Sequence, residues 1–271
     1  MRQKSFLIVT TLTPRRFQDS IRRNLFKIYL RALCAQSHEN WSALLIGDEN
    51  GSDGKIIRIK SSDEGKIPKI GHALKYIDNL AEKPDYVLRL DDDDMISPLT
   101  LARASAQEFD CYADESHHFF DIVNSRYCFQ RRPWLANTVI HKTCHIFNEV
   151  GPKNTPLLMN NHDEAWHLYY ADKNLHFCAS KNPVYLRTVS PLTLSVNGID
   201  TNNTKSHSEI DWVGYNSSLD SFGLWRRKIS APFVNYGDEL KEISKGFEKK
   251  FKKKYNLSVA LRKYYRGIKG Q

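Results

Sequence analysis

Residues 86–90 (YVLRL), followed directly by Asp91, Asp92, Asp93 and Asp94, most narrow what this chain can fold into. A short, mostly apolar run of this kind reads as a strand buried in a parallel sheet covered by helices. Four carboxylates then stand at its carboxyl end, where open α/β sheets bind their ligands. Adjacent ionised Asp side chains repel, and the repulsion is relieved by raised pKa values, basic partners or a bound cation. A hard divalent ion with oxygen ligands is the natural answer. In extended backbone Asp91 and Asp93 point one way and Asp92 and Asp94 the other, so one pair is expected to form the metal site. The plainer reading, Asp residues capping a turn before Pro98, explains less, because a solvated turn rarely needs four carboxylates after a buried strand.

The preceding chain alternates strand and helix. Residues 5–11 (SFLIVTT) form a first strand. Residues 16–36 carry Ile21, Leu25, Ile28 and Leu33 at helical spacing, widened by Phe26, Tyr29 and Leu30. Residues 41–46 form a second strand, completing a βαβ unit and hence a right-handed parallel sheet. A polar loop with three acids covers 47–54, residues 55–60 (KIIRIK) alternate like a third strand, and 69–80 read as a helix. The order to about residue 100 is therefore β-α-β-β-α-β, with two acidic loops on one edge of the sheet.

Beyond Pro98 the pattern predicts a helix over 99–109, strands over 126–132 and 138–141 in a smaller mixed sheet, and a short helix ending at Gly151 and Pro152. A helix over 163–172 and strands over 175–179 and 184–187 follow, then a polar loop at 201–208. From Leu240 apolar residues recur at Ile243, Phe247 and Phe251, then at Leu257, Leu261 and Tyr265. This predicts a basic amphipathic helix with a break near Asn256.

Composition supports a soluble or peripheral globular protein: 271 residues, 41% of them hydrophobic. Cys34, Cys111, Cys128, Cys144 and Cys178 are scattered and lack a C-x-x-C pair, which reads as reduced cytosolic thiols. The apolar run at residues 6–9 is too short for a signal-peptide core, so export by a classical signal is not expected. The net charge of +9 is concentrated at the end, where residues 238–271 hold 11 Lys and Arg against 4 Asp and Glu. A basic tail on a balanced body suggests an anionic surface as partner, not nucleic acid. Phe247, Phe251 and Tyr264, with the lysines of 249–254, could dock on the inner face of an anionic membrane. A helix packed on the main domain with a solvated basic face is the alternative. His141 and His145 stand at i, i+4 spacing, which for two His alone is structural far more often than zinc-binding.

Several pieces of the chain, in order, resemble one family. Residues 32–41 (ALCAQSHENW) are similar to a helix end with its Gln, short turn and aromatic before the second strand. Residues 46–54 (IGDENGSDG) match without a gap a loop written I-V-D-D-G-S-T-D-G, with Glu49 in place of the second Asp. Asp91 and Asp93 fall on a D-x-D. Residues 140–151 resemble a helix and Gly turn on the acceptor side, and 162–168 (HDEAWHL) stand where E-D-W-D-L-W-L is found, with His162 replacing the Glu. Tyr185 to Arg187 resemble a later Y-R, while Val189 stands where a His often follows. The family is the nucleotide-sugar glycosyltransferases of GT-A fold, mostly inverting and of the family-two type, and the branch it looks most similar to is that of rhamnosyltransferases. The resemblance runs from about residue 5 to residue 195.

The resemblance implies an α/β GT-A (Rossmann-like) fold, a mostly parallel sheet flanked by helices. Residues 1–200 would form the glycosyltransferase domain, with a nucleotide-sugar half (1–100) and an acceptor half (101–200), and 201–271 a basic helical extension. It further implies donor contacts from Thr11, Asp48, Asp91, Asp92 and Arg187, a Mn2+ or Mg2+ ion on Asp91 and Asp93, and Asp163 as catalytic base to an acceptor hydroxyl, with Glu164 its nearest competitor. Donor and acceptor would be a nucleoside diphosphate sugar and an oligosaccharide or glycolipid of the lipopolysaccharide or capsule type. Spacing alone leaves Asp48 open between base recognition and an Asx turn, and Asp163 between a base and a helix cap. Lys69, like Arg187, could approach the phosphates. Two rivals remain: a nucleotidyltransferase, although residues 11–16 lack the expected Gly-rich loop, and a non-catalytic calcium- or nucleotide-binding module.

Overall fold

Along the first strand, alternate residues enter two different cores. Phe6 and Ile8 pack with Ile21, Leu25 and Ile28, whereas Leu7 and Val9 pack with Ile70, Ala73, Leu74 and Ile77. A strand with helices on both faces follows from that alternation. The structure, a computed structural model, describes residues 2–130, 138–150, 154–159, 166–190, 225–226 and 231–249.

In chain order the described strands are β1 (Phe6–Thr11), β2 (Trp41–Gly47), β3 (Gly51–Asp53), β4 (Ile56–Lys60), β5 (Tyr86–Arg89), β6 (Met95–Ile96), β7 (Cys111–Asp114) and β8 (His117–Asp121). They continue as β9 (Arg126–Gln130), β10 (Ile140–Lys142), β11 (Glu149–Val150), β12 (Thr155–Pro156), β13 (Phe177–Ser180), β14 (Tyr185–Val189) and β15 (Trp225–Arg226). The helices are α1 (Ser20–Cys34), α2 (Lys66–Asp78), α3 (Thr100–Ser105), α4 (Trp166–Asp172) and α5 (Gly237–Phe247).

The main sheet has the order β13-β7-β10-β5-β1-β2-β4-β3. At its centre β5, β1, β2 and β4 run parallel, with Phe6 opposite both Trp41 and Tyr86. β10 runs antiparallel to both β5 and β7. The expected α/β sheet flanked by helices is observed. A second sheet, β15-β9-β8-β14-β6, begins directly after the carboxylates, since β6 pairs with β14. Asp91 to Asp94 therefore sit where the chain leaves one sheet and enters the other.

Three local expectations change. Residues 140–150 do not form a helix: Ile140–Lys142 pairs with β5, a 3-10 turn covers Thr143–His145, and β11 pairs antiparallel with β12, while Gly151 and Pro152 lie outside the described residues. Asn154, in the left-handed region at φ 46°, lies between those two strands. His141 is thus a strand residue, and its Nδ1 lies 2.8 Å from the Tyr170 hydroxyl. His145 faces Asp110 instead, at 3.1 Å. Strands β7 and β8 are absent from the sequence reading because CYAD and HHFFD mix polar and apolar residues, yet every position is buried.

The tail helix packs. Leu240, Ile243 and Phe247 of α5, with Phe233 and Tyr236 before it, join the same core as α1. Arg31 of α1 bridges Glu239 at 2.5 Å and lies 5.8 Å over the Tyr236 ring. Phe247, expected as a candidate bilayer contact, is fully buried. Phe251, Tyr264, Lys250 and the rest of 250–271 lie outside the described residues. No helix among the described residues is long and apolar enough to cross a membrane.

Candidate active site

Side-chain alternation along β5 sends Val87 into the α2-side core and Leu88 and Leu90 into the α1-side core. Asp91 follows onto the α2 side, where both its oxygens accept from Lys66 Nζ, at 2.6 and 2.8 Å. Asp92 turns to the α1 side and accepts from the backbone N–H of Thr13 at 2.7 Å and from its hydroxyl at 3.0 Å. Arg22 of α1 donates to the same hydroxyl at 2.8 Å and lies 3.8 Å from Asp92 and 3.6 Å from Asp93. The backbone then turns, with Asp94 N–H donating to the Asp91 carbonyl at 3.1 Å. Asp94 accepts from Thr188 N–H at 2.9 Å, and the Thr188 hydroxyl donates to the Asp93 carbonyl at 2.8 Å.

The four carboxylates thus have different tasks. Asp92 ties down the turn after β1, Asp94 locks β14 to the strand end, and Asp91 and Asp93 are left facing cations. Burial pushes Asp92, Asp93 and Asp94 upward, Asp93 to about 6, against the pull of Arg22 on Asp92 and Asp93, while the neighbouring carboxylates add to the rise. At Asp91 burial also acts upward, but Lys66, Arg89 and Arg187 outweigh it and hold the carboxyl well below its usual range. Arg187 of β14 is thereby brought to the same cluster as Asp91. Lys69 is buried, its Nζ donates to the Leu12 carbonyl at 2.7 Å, and its charge is felt by Asp48 and Asp92.

Beside the carboxylates, a cavity of about 350 Å³ opens at the carboxyl ends of β1, β2 and β4. It is lined by Pro14, Arg15 and Arg16 from the turn after β1, by Asp48 after β2, and by Lys60 with residues 61–64 after β4. Asp48 is exposed, with its carboxylate 3.3 Å from Arg15 Nε. Arg16 pairs with Glu64 across the opening. Gly47 lets the turn after β1 lie this close, because a Cβ there would come within 2.7 Å of Leu12 Cδ1 and 3.0 Å of Leu12 Cβ. Gly65 alone separates Glu64 of the cavity lining from Lys66 in the chain. Thr11 ends β1 opposite Ile46, one residue before the turn.

As a donor set, Asp91 and Asp93 fit a Mg2+ or Mn2+ ion. They are hard oxygen ligands, and a cation already sits bidentate on Asp91 in the form of the Lys66 ammonium. Among the described residues no group of three or more His, Cys, Asp or Glu side chains is arranged to hold a metal ion. Asp163, Glu164 and His162 lie outside the described residues. Sequence reading overlooked Lys66, because the helix was expected to start at Lys69. It also overlooked Thr13, Arg15 and Arg22. A Gly followed by Lys at a helix start was the available signal.

No protein-family model matches the chain, and no curated protein matches it. Among solved structures, similarity is found to TarS 1–349 of S. aureus, at 13% identity and a TM-score of 0.45 over 80% of this chain and 72% of that one. The glycosyltransferase GlyE of Streptococcus pneumoniae TIGR4 is similar at 11% identity and a TM-score of 0.37, over 84% of this chain and 66% of that one. Rv0371c of Mycobacterium tuberculosis H37Rv is similar at 10% and 0.38, over 81% and 100%. Likenesses at this level assign no function, which rests on the cleft itself.

Proposed function

We propose that this chain is a nucleotide-sugar glycosyltransferase of the GT-A type. It would move a sugar from a nucleoside diphosphate donor to a hydroxyl of an oligosaccharide or glycolipid. The observation that supports the reading is the placement of two features on one edge of the sheet: a cleft of about 350 Å³ lined by Arg15, Asp48 and Lys60 opens at the carboxyl ends of β1, β2 and β4, and after β5 the Asp91 and Asp93 carboxylates meet Lys66 and Arg22. That cleft lies outside the carboxyl ends of parallel strands, the general ligand position of such sheets.

In this reading the base and ribose occupy the cavity, with Asp48 accepting a base N–H. Lys66 and Arg187 face the diphosphate. Asp91 and Asp93 would hold a Mn2+ or Mg2+ ion, whose chemistry when bound is neutralising charge on the leaving diphosphate. Thr13, Asp92 and Arg22 keep the turn after β1 fixed, so the cavity wall does not reorganise when charge develops. Asp163 would take the acceptor proton as the hydroxyl attacks the anomeric carbon, giving inversion. A rhamnosyl donor and a lipopolysaccharide or capsule acceptor follow from sequence resemblance alone, as does membrane contact through residues 250–271.

The test is product analysis by NMR with a panel of UDP-, dTDP- and GDP-sugars and simple glycoside acceptors. Release of nucleoside diphosphate with an inverted anomeric centre supports the reading, and Asp163→Asn is expected to cut turnover by about a hundredfold or more while donor binding persists. Release of pyrophosphate from nucleoside triphosphate and sugar phosphate would instead identify a nucleotidyltransferase.

A further inference from the structure

Lys66 holds Asp91 as a chelated ion would be held, with its ammonium against both carboxylate oxygens at 2.6 and 2.8 Å. On the donor-site reading above, on which this inference rests, that is ground a divalent ion must share. Two cations on one carboxylate repel, so the ammonium and the metal compete. The tether is short and placed to be released. Lys66 is the first residue of α2, its side chain keeps 36% exposure, and Gly65 before it supplies no capping side chain. No acidic residue stands in the first turn of α2 to hold the ammonium elsewhere. The positive end of the helix lies at the same place, so an arriving diphosphate attracts both the ammonium and the helix terminus. The Arg187 and Arg89 charges beside Asp91 further favour moving Lys66 toward an anion.

We propose that Lys66 is the resident counter-ion of Asp91 and transfers to the donor's diphosphate when nucleotide enters. Asp91 is thereby exposed to the metal only when the donor is present. Lys66 acts as a positioning residue that makes metal affinity depend on nucleotide, and linkage makes the dependence reciprocal.

The experiment measures Mn2+ binding to the full chain by the electron paramagnetic resonance of the free ion. Nucleoside diphosphate binding is measured separately by calorimetry in EDTA. Lys66→Met is expected to bind Mn2+ alone about tenfold more tightly than wild type, because a competing charge is gone from a partly solvated site. The same variant is expected to bind nucleoside diphosphate without metal about tenfold more weakly, having lost a charge-assisted contact. Lys66→Gln should reproduce both changes, and Lys66→Arg should show neither. Opposite signs for the two ligands are the signature, since a merely structural lysine would weaken both or change neither. Unchanged or weaker Mn2+ binding in Lys66→Met and Lys66→Gln, with nucleotide still bound by wild type, overturns the counter-ion role alone. Wild type that binds no nucleoside diphosphate overturns the donor-site reading and this inference with it.

Discussion

Asp114, at the end of β7, is 1% exposed and accepts from Val184 N–H at 2.8 Å through one oxygen. Burial pushes its carboxyl up to about 7, against the pull of backbone hydrogen bonds. The folded-state value lies above the unfolded one of about 3.9, so the folded state holds the proton over the intervening window. Its contribution is fully present below about pH 4 and is lost as pH rises through about 7. Asp114→Asn is therefore expected to raise Tm over wild type at pH 8, with the difference shrinking toward pH 5. A pH-independent difference in parallel melts would refute this. At Asp92 the effect is different, since the carboxylate is spent on Thr13. Thr13→Val removes the hydroxyl donor from a buried carboxylate and is expected to cost about 1–3 kcal/mol in denaturant unfolding. At this scale the sequence reading was half successful. Alternation along the chain separates Asp91 from Asp92, but their partners, Lys66 and Thr13, come from segments 25 and 79 residues away, which no local pattern reveals.

The turn after β1 and the start of β2's loop depend on one missing side chain. Gly47→Ala would press a methyl onto Leu12, whose N–H donates to the Ile46 carbonyl at 2.8 Å and whose own carbonyl receives Lys69. Overpacking of this kind is expected to cost about 1–3 kcal/mol, read as a lower urea midpoint at unchanged m-value. Phe247 supplies a second element-level check. As the last residue of α5 it is fully buried against the α1 core. Phe247→Ala is expected to destabilise by about 3–5 kcal/mol, while Arg31→Ala, which breaks an exposed pair with Glu239, should cost no more than about 1 kcal/mol. Equal, small effects would mean that α5 does not belong to the core. The elements that strong periodicity announces, β1, α1, β2, β4, α2 and β5, are found within a few residues of expectation. Those with mixed composition are not: β8 carries two buried His, with His118 hydrogen-bonded to Tyr127, and such pairings are made by tertiary contact.

For the whole molecule, the decisive feature is the junction of two sheets at four carboxylates. The parallel β4-β2-β1-β5 order was legible from the βαβ pattern and its handedness. The second sheet was only partly legible, because β6 pairs with the distant β14, Ile96 with Tyr185 and Met95 with Leu186, and β8 was missed. The cavity could not be foreseen from sequence, since its walls come from three separate loops. The central claim is that this cavity takes the nucleoside of a diphosphate donor whose charge falls on the Lys66, Asp91 and Asp93 cluster. Calorimetric titration of the purified protein with UDP, dTDP and GDP in the presence of Mn2+ tests it most directly, run beside Asp48→Ala. Binding of one nucleotide, weakened at least about tenfold in Asp48→Ala by loss of a charge-assisted hydrogen bond, is the result expected. No binding of any of the three at millimolar concentration, or binding that Asp48→Ala leaves unchanged, would contradict it.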